Sequence, residues 1–192
     1  MLCGCPTLLS AMAAAVQCSM DTSTVTQTQK SSRTLILGLG NRVMSDDSAG
    51  PVALDLLLEK YALPANVDTL DGGTLGLELL TYMEGYGAII LIDCVMRGGN
   101  PGDLIEVDEE EIETVFERAL SPHQMGIKDL VAVLRLQGRT PDKMVVVGVE
   151  GQSVLPGIEL SPPVKASLQS LVERVVSVLE RWGTGAVALK GA

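Results

Sequence analysis

Ala88-Ile89-Ile90-Leu91-Ile92-Asp93 runs five apolar residues straight into a carboxylate. A run with no polar alternation reads as a strand covered on both faces, the situation inside a parallel α/β sheet. Asp93 then falls at the carboxyl end of that strand. A bare carboxylate there is poorly placed for stability. The crevice beyond the strand ends is also where such sheets bind their ligands. The stretch thus gives a fold class and a candidate site residue together.

Strands and helices alternate on either side of it. Thr34 to Gly38 reads as a strand, and Gly50-Pro51 opens a helix whose apolar residues Val52, Leu56, Leu57 and Tyr61 recur near helical spacing. Val67 to Leu70 is a short strand and Leu75 to Tyr82 a helix. Asp103 to Val107 alternates as an edge strand does. Asp108 to Leu120 is an acidic helix whose charges form a solvated face, and Ile127 to Leu136 is another helix. Met144 to Val149 is a second fully apolar strand. Ser161-Pro162-Pro163 caps and starts a long last helix with Val164, Leu168, Leu171, Val175, Val178 and Trp182 on one face. Alternation of this kind predicts a three-layer α/β/α sandwich around a mostly parallel, twisted sheet of about five strands.

The 192 residues fit one domain, residues 34–182, with extra chain at both ends: residues 1–33 and a tail, 183–192. The first segment holds a short apolar stretch, Leu8 to Val16, and then a Ser/Thr/Gln-rich one. The apolar stretch is too short to span a bilayer, and no basic residue precedes it as a secretory signal requires. It reads as a disordered extension, or as the product of an early start with Met20 the true one. Hydrophobic residues make up 46% and aromatics 3%, so the core is aliphatic. A net charge of −10 argues against nucleic acid as a partner and fits a soluble, cytoplasmic protein away from membranes. Of the four cysteines three lie in the first twenty residues, and no CxxC pair exists. Structural zinc and a disulfide framework are both disfavoured. Cys94 reads as a small buried apolar residue.

Three features gather at strand ends or loops. Asp46-Asp47 follows the first strand and begins a helix; both acids cannot be the N-cap, so one is free to point elsewhere. Asp71-Gly72-Gly73-Thr74 follows the second strand and reads as turn chemistry with Thr74 as a helix cap, yet it shares the crevice. His123, the single histidine, lies in the loop-like Ser121-Pro122-His123-Gln124. Gly38-Leu39-Gly40 hints at a dinucleotide fingerprint, but position 43 is Val43 and the acidic pair would repel a pyrophosphate. Asp47, Asp93 and His123 suit a divalent metal or acid–base work, and their spacing matches no local metal motif.

Leu37-Gly38-Leu39-Gly40-Asn41-Arg42-Val43-Met44-Ser45-Asp46-Asp47-Ser48-Ala49-Gly50 resembles the opening motif of the hydrogenase maturation endopeptidases. The resemblance continues through Leu70-Asp71-Gly72-Gly73-Thr74, Ile92-Asp93, Ser121-Pro122-His123-Gln124-Met125-Gly126 and Val146-Val147-Gly148-Val149. It spans about residues 34–182. It implies a protease that trims the C-terminal tail of the large-subunit precursor of a nickel–iron hydrogenase once nickel is inserted, acting as a monomer. Asp47, Asp93 and His123 match the family's metal-contacting positions, with nickel arriving on the substrate. Asp71, Gly72, Gly73 and Thr74 match a substrate-recognition loop that points to an uptake-type client. Position 47 is often Glu in relatives, and many carry Gly or Ala where Ser48 stands; the N-terminal extension has no counterpart.

Two mechanisms use the same residues. An open nickel site can polarise the scissile carbonyl or activate water. Alternatively Asp47 and Asp93 are catalytic as an aspartic-type pair sharing one proton. A competing function needs the same triad without cleavage: a nickel-sensing chaperone of the immature large subunit. Peptidyl-tRNA hydrolase-like chemistry is disfavoured by the acidic charge.

Residues 1–33 carry no periodic core pattern and are expected to be dispensable, so a chain starting at Ser32 should fold and process substrate as the full chain does. Melting temperature and tail cleavage, compared between the two chains, check this; a large loss of either counts against it.

Overall fold

The computed structural model describes residues 32–116, 126–184 and 187–188. Residues 1–31 of the expected N-terminal extension, and His123 with its neighbours 117–125, lie outside the described residues. The apolar runs form the strands as their composition requires. Strand β1 is Thr34–Leu39, followed by a 3₁₀ turn Ser45–Ser48 and helix α1, Ala49–Lys60. Short β2 (Tyr61–Ala62) and β3 (Val67–Gly73) precede a 3₁₀ turn and helix α2, Leu79–Met83. Next come β4 (Ala88–Val95), β5 (Leu104–Asp108), a 3₁₀ turn and α3 (Ile112–Val115), α4 (Ile127–Leu136) and β6 (Lys143–Glu150). Helix α5 (Pro162–Arg181) and β7 (Val187–Ala188) end the description.

The main sheet has five strands in the order β3-β1-β4-β6-β5. All pairings are parallel except β5 with β6. β4, the strand of the opening stretch, is central, and successive residues point to opposite faces. Ile36, Ile90 and Ile92 join a core closed by α1 and α5; Leu35, Leu37, Ile89 and Leu91 join a second core closed by α2, α3 and α4. That is the three-layer sandwich expected, with the antiparallel strand at one edge. Among the described residues no helix is long and apolar enough to cross a membrane.

Several local expectations fail for stated reasons. Asp71-Gly72-Gly73 is not a turn: β3 continues through Gly73, with a register irregularity opposite Gly38 and Leu39. Buried Gly72 fits because a Cβ there would meet the Leu39 and Leu79 side chains at 2.9 and 3.0 Å. Thr74 does not cap; the next turn starts at Gly76 and has no side-chain cap. The acidic helix shrinks, within the described residues, to a 3₁₀ turn at Glu109–Glu111 and the four residues of α3. Tyr61 leaves α1 and pairs in β2 with Ala188, within the stretch expected as tail.

Gly50 sets where α1 lies. A Cβ there would sit 2.2 Å from the Leu39 carbonyl oxygen and 2.4 Å from that of Ile92. Helix entry is therefore pressed onto the carboxyl ends of β1 and β4, and only glycine allows it. Gly50→Ala should cost about 3 kcal/mol through overpacking against backbone that cannot yield. Thermal unfolding should register a drop of roughly 6–12 °C; an unchanged melting temperature would contradict the packing described.

Candidate active site at the carboxyl end of the sheet

The close approach at Gly50 carries the Ser45–Ser48 turn over the ends of β1 and β4. Gly40 lets the chain leave β1: its φ is +125°, and a Cβ would lie 1.7 Å from the Asp47 carbonyl oxygen. Asn41 N–H donates to Asp47 Oδ2 at 2.7 Å, and Asp47 N–H donates to the Met44 carbonyl at 3.0 Å. Asp47 is 1% exposed. Asp93, partly buried, stands near the end of β4 opposite Gly148 of β6.

The two carboxylates act on each other. The Asp93 carboxyl titrates well above the ordinary carboxylate range, first because it is desolvated and second because Asp47 is negative. Cys94 N–H donates to Asp93 Oδ1 at 2.8 Å and pulls the other way. Next to it the Cys94 thiol is buried and free, and burial, then the surrounding acids, push its pKa up. Cys94 is the inert buried residue its sequence context suggested.

Asp93 also lines a cleft of about 450 Å³, counting its open mouth. Gly73 and Thr74 form part of its wall, with Leu39, Leu77 and Leu79 beside them and Ile127 and Leu130 facing from α4. Asp71 stays outside. It is exposed; one oxygen accepts from Gly73 N–H at 3.0 Å and the other from Arg42 Nε at 2.9 Å. Gly72 is buried in the strand. Asp93, Gly73 and Thr74 thus line one cleft, with Asp47 near enough to Asp93 to act on its carboxyl, while Asp71 and Gly72 are not among the lining residues. His123 lies outside the described residues, among which no group of three His, Cys, Asp or Glu side chains could hold a metal ion.

Local sequence pattern left the two adjacent acids undistinguished, only the resemblance picking out Asp47, and they have opposite fates. Asp46 is fully buried and accepts four hydrogen bonds: from Gln152 N–H (2.8 Å), Ser153 N–H (3.0 Å), Ser161 N–H (2.6 Å) and Ser161 Oγ (2.8 Å). Ser161 was expected to cap α5 with its side chain; its hydroxyl goes to Asp46 instead. Glu150 also went unremarked. Its Oε1 accepts from three consecutive backbone N–H groups, Arg97, Gly98 and Gly99, fixing the chain that leaves β4. These partners lie 51 or more residues away in sequence, and no spacing signals them.

The family model for hydrogenase maturation proteases matches residues 52–178. Hydrogenase 2 maturation protease of Escherichia coli is 36% identical over 156 residues, covering 81% of this chain and 95% of that protein. The hydrogenase expression/formation protein HupD of Rhodobacter capsulatus is 34% identical, covering 80% and 74%. The solved hydrogenase maturating endopeptidase HybD from E. coli superposes with a TM-score of 0.77 at 35% identity, over 83% of this chain and 99% of that one. The hydrogenase maturation protease HybD from Thermococcus kodakarensis gives 0.63 at 31%, over 76% and 98%.

The raised Asp93 carboxyl has a signed consequence for stability. Below about pH 4 both folded and unfolded chains hold the proton, and the acid costs nothing. As pH rises toward the raised folded value, the unfolded chain loses its proton first, so stability falls; above that value the cost is constant. Asp93→Asn does not titrate there. Metal-free Asp93→Asn should therefore gain melting temperature over the parent as pH rises from 4, then hold a plateau. Parallel melting profiles across that range would remove the electrostatic account of the pair.

Proposed function

The chain belongs to the hydrogenase maturation proteases, and on that premise we propose that it removes the C-terminal tail of a nickel–iron hydrogenase large-subunit precursor after nickel insertion. One observation carries the site assignment: Asp47 and Asp93 share a desolvated corner at the end of the sheet, and Asp93 opens into a cleft walled by Gly73 and Thr74. The cleft is the place for the tail on either side of the scissile bond.

The nickel belongs to the client. The donor set suits it: carboxylate oxygen from Asp47 and Asp93 and imidazole nitrogen from His123 are ligands that nickel(II) accepts. A cation also offsets the desolvation and the repulsion from Asp47 that lift Asp93. Bound there on the precursor, nickel would supply Lewis acidity toward the scissile carbonyl. In the rival, aspartic-type scheme the nickel stays on the precursor's own ligands and the two acids do the proton work. In that scheme Asp93, whose carboxyl is pushed upward by desolvation and then by Asp47, is the acid, and Asp47, which accepts from Asn41 N–H, is the base. Asp47 takes a proton from water as its oxygen forms a bond to the scissile carbon. Asp93 gives its proton to the amide nitrogen as the C–N bond breaks.

The same residues would serve a nickel-sensing chaperone without cleavage. The likeness to the hydrogenase 2 maturation protease of Escherichia coli, at 36% identity, favours the enzyme. An uptake-type hydrogenase as client follows from the Asp-Gly-Gly-Thr stretch.

Purified enzyme should shorten nickel-loaded precursor and leave nickel-free precursor intact, without added metal. Asp47→Ala, Asp93→Ala and His123→Ala should each slow cleavage about a thousandfold or more while the chain stays folded. Gel mobility of the large subunit reads both. Equal cleavage of the two precursor forms would remove the nickel requirement, and normal cleavage by Asp93→Ala would remove the site.

A further inference from the structure

Arg42 has no part in the chemistry above, yet its side chain joins three segments at the active end of the sheet. Its Nη1 and Nη2 donate to the two carboxylate oxygens of Asp55, on α1, at 2.7 and 3.1 Å. Nη2 also reaches the Pro51 carbonyl, at the start of that helix, at 3.5 Å. Nε donates to Asp71 Oδ2, in β3, at 2.9 Å. Arg42 itself belongs to the turn that follows β1. A planar guanidinium holds two carboxylates at once in fixed directions, which the compact ammonium of a lysine does not.

Fold stability is not what this network supplies. The side chains of Arg42, Asp55 and Asp71 are 46%, 60% and 41% exposed, and ion pairs so exposed contribute little. What they supply is placement. The turn bearing Arg42 also carries Asn41, whose N–H donates to Asp47 Oδ2 at 2.7 Å, and it closes through Met44 N–H onto the Asn41 carbonyl at 3.0 Å. On the other side, Asp71 Oδ1 accepts from Gly73 N–H at 3.0 Å, and the Gly73 carbonyl accepts from Gly40 N–H at 2.9 Å. Gly73 sits at φ +46°, in the left-handed region that favours glycine. Gly73 and Thr74 then wall the cleft that Asp93 lines. Two hydrogen bonds, Arg42 to Asp71 and Asp71 to Gly73, thus lead from the turn that holds Asp47 to the wall of the cleft.

We propose that Arg42 is a positioning residue for the client's tail: held by Asp55, it aims the Asp71 carboxylate at Gly73 N–H and so sets the Gly73–Thr74 wall of the cleft against the turn that holds Asp47. This rests on the function proposed above. The client then meets Gly73 and Thr74 rather than the Asp71 carboxylate, both of whose oxygens are engaged. The rival is Asp71 as a direct contact for a basic group of the client, and it predicts the opposite sign. Losing Arg42 would then release the carboxylate and tighten the client.

The test is a double-mutant cycle on the full chain, with Arg42→Ala, Asp71→Ala and the two together, and nickel-loaded precursor as substrate. Each single variant should raise KM about tenfold with kcat within about twofold, and the double variant should be no worse than the poorer single one. Melting temperatures should stay within about 2 °C of the parent, since the pair is exposed. The amide NMR signals of Gly73 and Thr74 should move in Arg42→Ala. An unchanged or lowered KM in Arg42→Ala, or additive losses in the double variant, overturns the proposal, and so do unmoved Gly73 and Thr74 signals. Those signals are read without substrate. If the parent cleaves no precursor, the functional reading fails, while the signals still decide whether Arg42 sets the wall.

Discussion

Everything at the active end of this protein depends on one close approach. Gly50 places the start of α1 against the carbonyl oxygens of Leu39 and Ile92, at distances no side chain would tolerate. The carbonyls belong to adjacent strands: Ile92 immediately precedes Asp93, and Leu39 ends β1. Lifting the helix by the thickness of a methyl group would carry the Asp47 turn away from Asp93. The mutual electrostatics of the acids would then dissolve, since two charges separate energetically as they separate in space. Gly38 and Gly40 serve the same approach from the strand side, where a Cβ on either would strike the backbone of Gly50 or Asp47.

Two neighbouring aspartates show how environment, rather than residue type, assigns work. Asp46 is surrounded by donors and satisfies both oxygens with them. Asp93 has one backbone donor, little water and a like charge nearby. The first arrangement stabilises a carboxylate and makes it a fastener. The second leaves a carboxyl group reluctant to ionise, which is useful only where a proton or a cation is to be handled.

The aliphatic strands were legible because both faces of β1, β4 and β6 are buried, so composition alone marks them. Helix α5 was legible from its single apolar face. The Asp71–Thr74 stretch misled because Gly-Gly carries turn propensity, and pairing with β1 at the register irregularity overrode it. Ser161 misled in a related way: a local capping rule was outcompeted by a buried carboxylate 115 residues distant. Asp93 was legible as a site residue because it interrupts an apolar run. Asp47 could be separated from Asp46 only by resemblance, since the partners that distinguish them lie beyond the reach of any local pattern.

The span of the Asp46 fastening bears on how the protein comes into being. Its donors at Gln152, Ser153 and Ser161 stand 106, 107 and 115 residues downstream. During synthesis, the first strand, α1 and β4 are complete long before those donors exist, and domains form as units with the amino-terminal part emerging first. The Asp46-Asp47 turn then has no counterpart to close against. A nascent or truncated chain can carry both acids of the site and still lack the turn that aims one of them. Closure of the turn that aims Asp47 is thus tied to synthesis through Ser161, and long-range closure of this kind is a late step in folding.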